Sequence, residues 1–257
     1  MHKVVSLLFL FVFGAAATQI HKDDLPSKFI KRLTPLSKQN NNGIDWCPEC
    51  VDTFDTLIYF VIDGIMELGI ATTCNDLCNY VTQKSTNPYL PIICSIGCDI
   101  VGINEFIKIA TDIDLDPIYF CEKLTLCPVF DNGDAKFLSF IIAPPHAQAY
   151  TKFVFDLSYQ TFNGTGTGQM LVDVQTIDGI KVSSFYLIEA KKTGRYAERL
   201  SLDTTPDPDC ESAVNPCEEW FPGVYNVTVK ICNGECGSHH PHSQIYDTIQ
   251  RTFQIDK

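Results

Sequence analysis

Twelve cysteines are the residues of this 257-residue chain best suited to do chemistry, and their spacing decides which chemistry. Cys47-Pro-Glu-Cys50 has the spacing of a redox dithiol, but no βαβ pattern surrounds it, and a thioredoxin-like site needs that frame. Cys74 and Cys78 lie one helical turn apart, as do Cys94 and Cys98, with Asn87-Pro-Tyr-Leu-Pro91 between the pairs. Each pair therefore presents both sulfurs on one helix face. Four such thiolates suit zinc in a reducing cell, whereas in an oxidising compartment an even count reads as disulfides, six for this chain. If the two segments form an antiparallel helical hairpin, the inner cysteines meet as Cys78 to Cys94 and the outer as Cys74 to Cys98.

Two other groups invite a functional reading. His239, His240 and His242 cluster beside Cys236-Gly-Ser238; with no fixed carboxylate or helix to frame them, an exposed loop is favoured over a metal site. Asn163-Gly-Thr-Gly-Thr-Gly168 is glycine-rich but joins two strand-like runs and lacks a following lysine or helix. It reads as a hairpin turn rather than a phosphate cradle. The sequence offers no serine, cysteine or carboxylate constellation for catalysis, and no residue set calls for a cofactor. A non-enzymatic protein is expected.

Compartment follows from the N-terminus. An apolar run from Val4 to Phe13 ends in Gly14-Ala-Ala-Ala-Thr18, too short to span a bilayer and followed by small residues, so residues 1–18 read as a signal peptide. The C-terminus carries no lipid-anchor pattern, and the mature chain is expected to be secreted and extracellular. The sequons Asn163-Gly-Thr165 and Asn226-Val-Thr228 agree with export. A formal charge of −12, −13 once Lys3 leaves with the signal, argues against a nucleic-acid partner, because phosphate contacts need Lys and Arg.

The elements that position these groups fall into two patterns. Residues 19–44 hold a polar stretch, Lys38-Gln-Asn-Asn-Asn-Gly43, and read as a flexible leader. From Asp45 to Phe130 the period is helical. In the first helix Asp52, Asp55, Asp63 and Glu67 share a narrow arc with Tyr59, opposite Val51, Phe54, Leu57, Ile58, Val61, Ile65 and Leu68. Asp116 followed by Pro117 starts a short terminal helix. A turn-forming run, Asp131-Asn-Gly-Asp134, marks the boundary, and residues 134–257 switch to period 2. Phe153, Phe155, Leu157 and Tyr159 form the inward side of one strand, and Tyr225, Val227, Val229 and Ile231 that of another. Further strands are expected over Phe137–Ala143, Gln169–Ile177, Ser183–Ala190 and Thr248–Ile255. Short strands with Gly, Pro and Asp turns argue for an antiparallel sandwich of immunoglobulin-like type. Among Cys210, Cys217, Cys232 and Cys236 three pairings remain open.

Residues 45–130 resemble the saposin B-type family. The likeness rests on Cys47-x2-Cys50 opening the domain, on Pro117-x3-Cys121-x5-Cys127 closing it, and on a bridged central hairpin. The resemblance implies Cys47 to Cys127 and Cys50 to Cys121, and possible lipid contact. The second hairpin rung, Cys74 to Cys98, departs from the usual single bridge. Thirteen acidic residues against three lysines give this segment −10, unlike the cationic lytic members, so any membrane activity is expected only in acid. Signal peptide, acidic saposin-like domain and cysteine-bearing β domain, in that order, resemble the countin family of social amoebae. That resemblance implies a subunit of a secreted counting-factor complex, which limits group size by altering cell adhesion and motility. It implies other subunits as partners and leaves the receptor unspecified. The expected fold is thus α+β multidomain, a disulfide-stapled helical bundle followed by a β-sandwich.

Overall fold

The computed structural model describes residues 34–35, 45–68, 73–111, 114–179, 181–205 and 219–257. The expected signal peptide, most of the leader, Cys210 and Cys217 lie outside them. Within the leader, Thr34–Pro35 form a short strand, β1.

Five helices follow: α1 (Trp46–Leu68), α2 (Cys74–Lys84), α3 (Tyr89–Val101), α4 (Ile103–Ala110) and α5 (Pro117–Lys123). Their starts are set by local side-chain chemistry. Asp45 Oδ1 accepts the Cys47 N–H at 3.1 Å, Thr73 Oγ1 accepts the Asp76 N–H at 3.1 Å, Asn87 Oδ1 accepts the Tyr89 N–H at 2.9 Å, and Asp116 Oδ1 accepts the Tyr119 N–H at 2.8 Å. Each satisfies a donor that the first helical turn leaves free. Gly102, at φ +81°, breaks α3 from α4, and the two axes meet at 117°; the left-handed region suits a residue without Cβ. Phe54, Leu57, Ile58 and Val61 of α1 are buried against Leu77, Val81, Leu90, Ile93, Phe106 and Phe120, so the wide apolar arc of α1 is spent on the other helices. No single described helix is long and apolar enough to cross a membrane.

The second unit holds β2 (Lys136–Ala143), β3 (His146–Gln148), β4 (Lys152–Thr161), β5 (Gly168–Gln175), β6 (Lys181–Ile188), β7 (Gly194–Asp203), β8 (Gly223–Asn233) and β9 (Gln244–Asp256). They form two sheets, ordered β1-β7-β4-β2 and β3-β9-β8-β5-β6. The inward rows of β4 and β8 meet in one core, where Phe153 stands 4.4 Å from Phe253 and Tyr225 stacks on Phe253 at 5.0 Å, ring centre to ring centre. The fold is therefore α+β with two separate cores, each built around its own apolar cluster.

Three details differ from the sequence reading. The sheets are not wholly antiparallel, because β3 runs parallel to β9. Pro144 and Pro145 end the β2 ladder, since proline offers no N–H. The chain then crosses to the facing sheet, where Pro145 O accepts the Gln254 N–H at 3.0 Å. The strand β7 was not anticipated: Glu198 interrupts its inward row between Tyr196 and Leu200, yet it pairs with the whole of β4. Finally, two residues of the segment read as a flexible leader pair with Ser201 and Leu200 of β7.

Candidate functional site

The helical unit is held by four bonds. Cys47 joins Cys127, Cys50 joins Cys121, Cys74 joins Cys98 and Cys78 joins Cys94. The first two tie the start of α1 to α5 and the residues after it, and the last two are adjacent rungs between α2 and α3. In the β unit Cys232 joins Cys236, which excludes the crossed pairings. All ten of these sulfurs are bridged, and bridged sulfur is neither nucleophile nor metal ligand.

The α1 acidic arc faces outward. Asp52, Asp55 and Glu67 are exposed, and Asp63 Oδ2 accepts the Tyr80 hydroxyl of α2 at 2.6 Å. That hydrogen bond is the main reason the Tyr80 phenol is pushed up to about 12. The sequon residues Asn163 and Asn226 are exposed; Asn226 lies on the outer face of β8 between Gln175 and Thr252. The 163–168 run is not the hairpin turn expected from sequence: β4 and β5 lie in different sheets, and the run carries the chain from one sheet to the other. Its Gly166 has no room for a Cβ, which would stand 2.6 Å from Asn233 Oδ1 and 2.8 Å from Phe130 N.

The chemistry-bearing residues converge where the two units meet. The histidines are not a free loop. His239 is exposed, but its N–H donates to Asp114 Oδ2 at 3.2 Å. The His240 ring stacks on Tyr119 of α5, 4.2 Å between centroids and 5° from parallel, with Nε2 2.7 Å from Asp114 O and 4.0 Å from Asp114 Oδ2. His242 Nδ1 is 2.6 Å from Asp131 Oδ1. A helix and two carboxylates thus frame the cluster, contrary to the expectation from sequence. Their origin lies in the segments before and after α5, which period-based reading does not bring near residue 240. Among the described residues no group of three or more His, Cys, Asp or Glu could hold a metal ion.

Beside the histidines lies a set of carboxyls that the sequence did not single out. Glu122 of α5 is buried, and neither Oε1 nor Oε2 has a hydrogen-bond partner; Glu235, in the β8–β9 loop, has its Oε2 equally buried and unpartnered. Burial pushes the Glu122 carboxyl up to about 8, and the charges of Asp116 and Asp131 add to it. Burial likewise raises Glu235 to about 8, reinforced by Asp116, Asp114 and, from α1, Asp55. Both are desolvated acids among like charges, the two conditions that favour the protonated form. Thr167 seals the floor of the seam: its N–H and its hydroxyl both donate to Pro128 O at 3.0 Å, and its Oγ1 lies 3.7 Å from Cys47 Sγ. Leu187 of β6 adds an apolar contact to the helical core. The one sequence signal for the glutamates was position, since each lies among bridged cysteines, Glu122 after Cys121 and Glu235 before Cys236.

Both units have relatives. Residues 45–125 match the Countin N-terminal domain, and residues 135–257 match the Countin C-terminal domain. Countin-1 of Dictyostelium discoideum is 30% identical over 215 residues, covering 83% of this chain and 79% of that protein. Countin-2 of the same organism is 32% identical over 213 residues, 81% of this chain and 78% of that one. Countin-3 is 31% identical over 233 residues, 89% and 97%.

Proposed function

Because the chain belongs to the countin family, we propose that it is a secreted, non-enzymatic signalling factor. In this reading it is a subunit of a counting-factor complex that limits multicellular group size by altering cell adhesion and motility. The observation that carries it is the pair of family matches, N-terminal then C-terminal, together with about 30% identity spread over most of the chain. Five disulfides among the described residues suit an oxidising, extracellular setting. Exposed Asn163 and Asn226 are then glycan acceptors. The helical unit is read as saposin B-type on its end-tying and hairpin bridges, and the β unit as immunoglobulin-like on its two facing sheets.

The partners in this reading are the other subunits of the secreted complex. Deleting the gene in the native organism and measuring group size and cell adhesion tests it, and unchanged groups would remove the role. Elution of the purified native protein with and without liposomes separates the partner classes. A large heteromeric complex supports the signalling role, and co-elution with liposomes alone would move the reading to lipid handling.

A further inference from the structure

We propose that the seam between the helical and β units is a proton-set latch, closed while Glu122 and Glu235 are neutral and loosened when they ionise. The geometry carries this. The β8–β9 loop is clamped against α5 by the Tyr119–His240 stack, by His240 and the His239 N–H on Asp114, and by His242 on Asp131. Under that clamp lie carboxyl oxygens with no hydrogen-bond partner, Oε1 and Oε2 of Glu122 and Oε2 of Glu235. A buried carboxyl without a partner is tolerable when protonated and costly when charged.

Every nearby charge pushes the same way. Glu122 feels Asp116 from the start of α5 and Asp131 from the connection to β2. Glu235 feels Asp116 and Asp114 from the segment leading into α5 and Asp55 from α1. The basic groups at the seam are engaged elsewhere: His240 and His242 on Asp114 and Asp131, and Lys123 Nζ over the Tyr119 ring, 5.4 Å from its centroid.

The sign follows from linkage. Both glutamates are raised in the folded chain to about 8 from an ordinary 4.5. Their contribution is fully present below the ordinary value and is lost as pH rises through about 8.

The test uses the whole disulfide-bonded chain. Amide hydrogen exchange, corrected for the intrinsic pH dependence, is followed in α5 and in residues 234–243 at about pH 5.5 and 8.5, either side of the raised carboxyl range. Exchange in both segments of the native chain should accelerate by at least about tenfold at the higher pH, because each glutamate is raised by more than one unit and one unit carries that factor, while the α2–α3 hairpin stays unchanged. The E122Q/E235Q chain, neutral at both sites, should match the native chain in acid and keep its protection at high pH. D116N retains an N-capping side chain while removing the charge that both glutamates face, and it should fall between the two. Should the double variant fail to fold, D116N alone decides. Native protection that ignores pH, or variants that loosen as much as the native chain, would overturn the latch.

Discussion

Asp116 serves two ends at one position. Its side chain caps α5 through the Tyr119 N–H, and its charge bears on both Glu122 and Glu235. The two effects oppose each other as pH changes. Asp116→Ala should cost about 1 kcal/mol, the usual worth of a cap, at pH near 5.5, where the glutamates are neutral. The cost should shrink near pH 8.5, where removing a like charge eases their ionisation. Chemical denaturation at the two pH values checks this, and an equal cost at both would separate the cap from the carboxyl pair. The cap itself was legible, because Asp followed by Pro has one strong meaning at a helix start. Glu122 was not legible, since a glutamate in a seven-residue amphipathic helix ordinarily faces water. Only the packing of the β8–β9 loop on α5, set by contacts more than a hundred residues apart in sequence, buries it.

At the level of elements the disulfides of the helical unit come in neighbouring pairs, and the pairing governs what each is worth. Cys47–Cys127 closes 80 residues and Cys50–Cys121 closes 71. With either in place, the other closes only the short stretches between them, three residues on one side and six on the other. Loop-closure entropy then gives about 2–3 kcal/mol for losing one bond and about 4 kcal/mol more for losing the second. The hairpin rungs, with separations of 24 and 16, should behave alike, with about 3 kcal/mol for the second loss. Paired Cys→Ala variants, unfolded in denaturant without reductant, test this; a first loss as costly as the second would refute the shared-loop account. The spacing of four made the hairpin legible, as alternation did β4 and β8. Elsewhere the period failed for identifiable reasons. A bulge after Phe137 puts both Phe137 and Phe140 in the core, three apart rather than two. In β7 Arg195 and Arg199 keep to the exposed row, as alternation asks, but Glu198 stands in the inward row between Tyr196 and Leu200 and masks the strand. The parallel β3 depends on a crossing between sheets that no local pattern encodes.

For the whole molecule, two cores joined by a narrow, mostly polar seam mean that cooperativity between the units is itself a variable. The helical core is braced by four disulfides, whereas the β core has among the described residues one bridge, spanning only four residues. Reductant should therefore act on one unit far more than the other, because long closures restrict the unfolded chain most. Calorimetry, with circular dichroism to assign helix loss, should show the helical transition falling steeply in reductant while the β transition barely moves. The coupling between the transitions depends on the seam, and the seam on Glu122 and Glu235. At pH near 5.5 both carboxyls are neutral and the oxidised units should melt as one. Toward pH 8.5 the unfolded state releases their protons more readily than the folded state, so the stability they share through the seam is lost, and the single transition should divide into two. The formal charge of −12 adds self-repulsion to the same end, but salt screens exposed charges within about 10 Å at 0.1 M, leaving the buried pair less affected. A division that persists in about 0.5 M salt and vanishes in E122Q/E235Q assigns it to the seam; one abolished by salt alone would assign it to the surface.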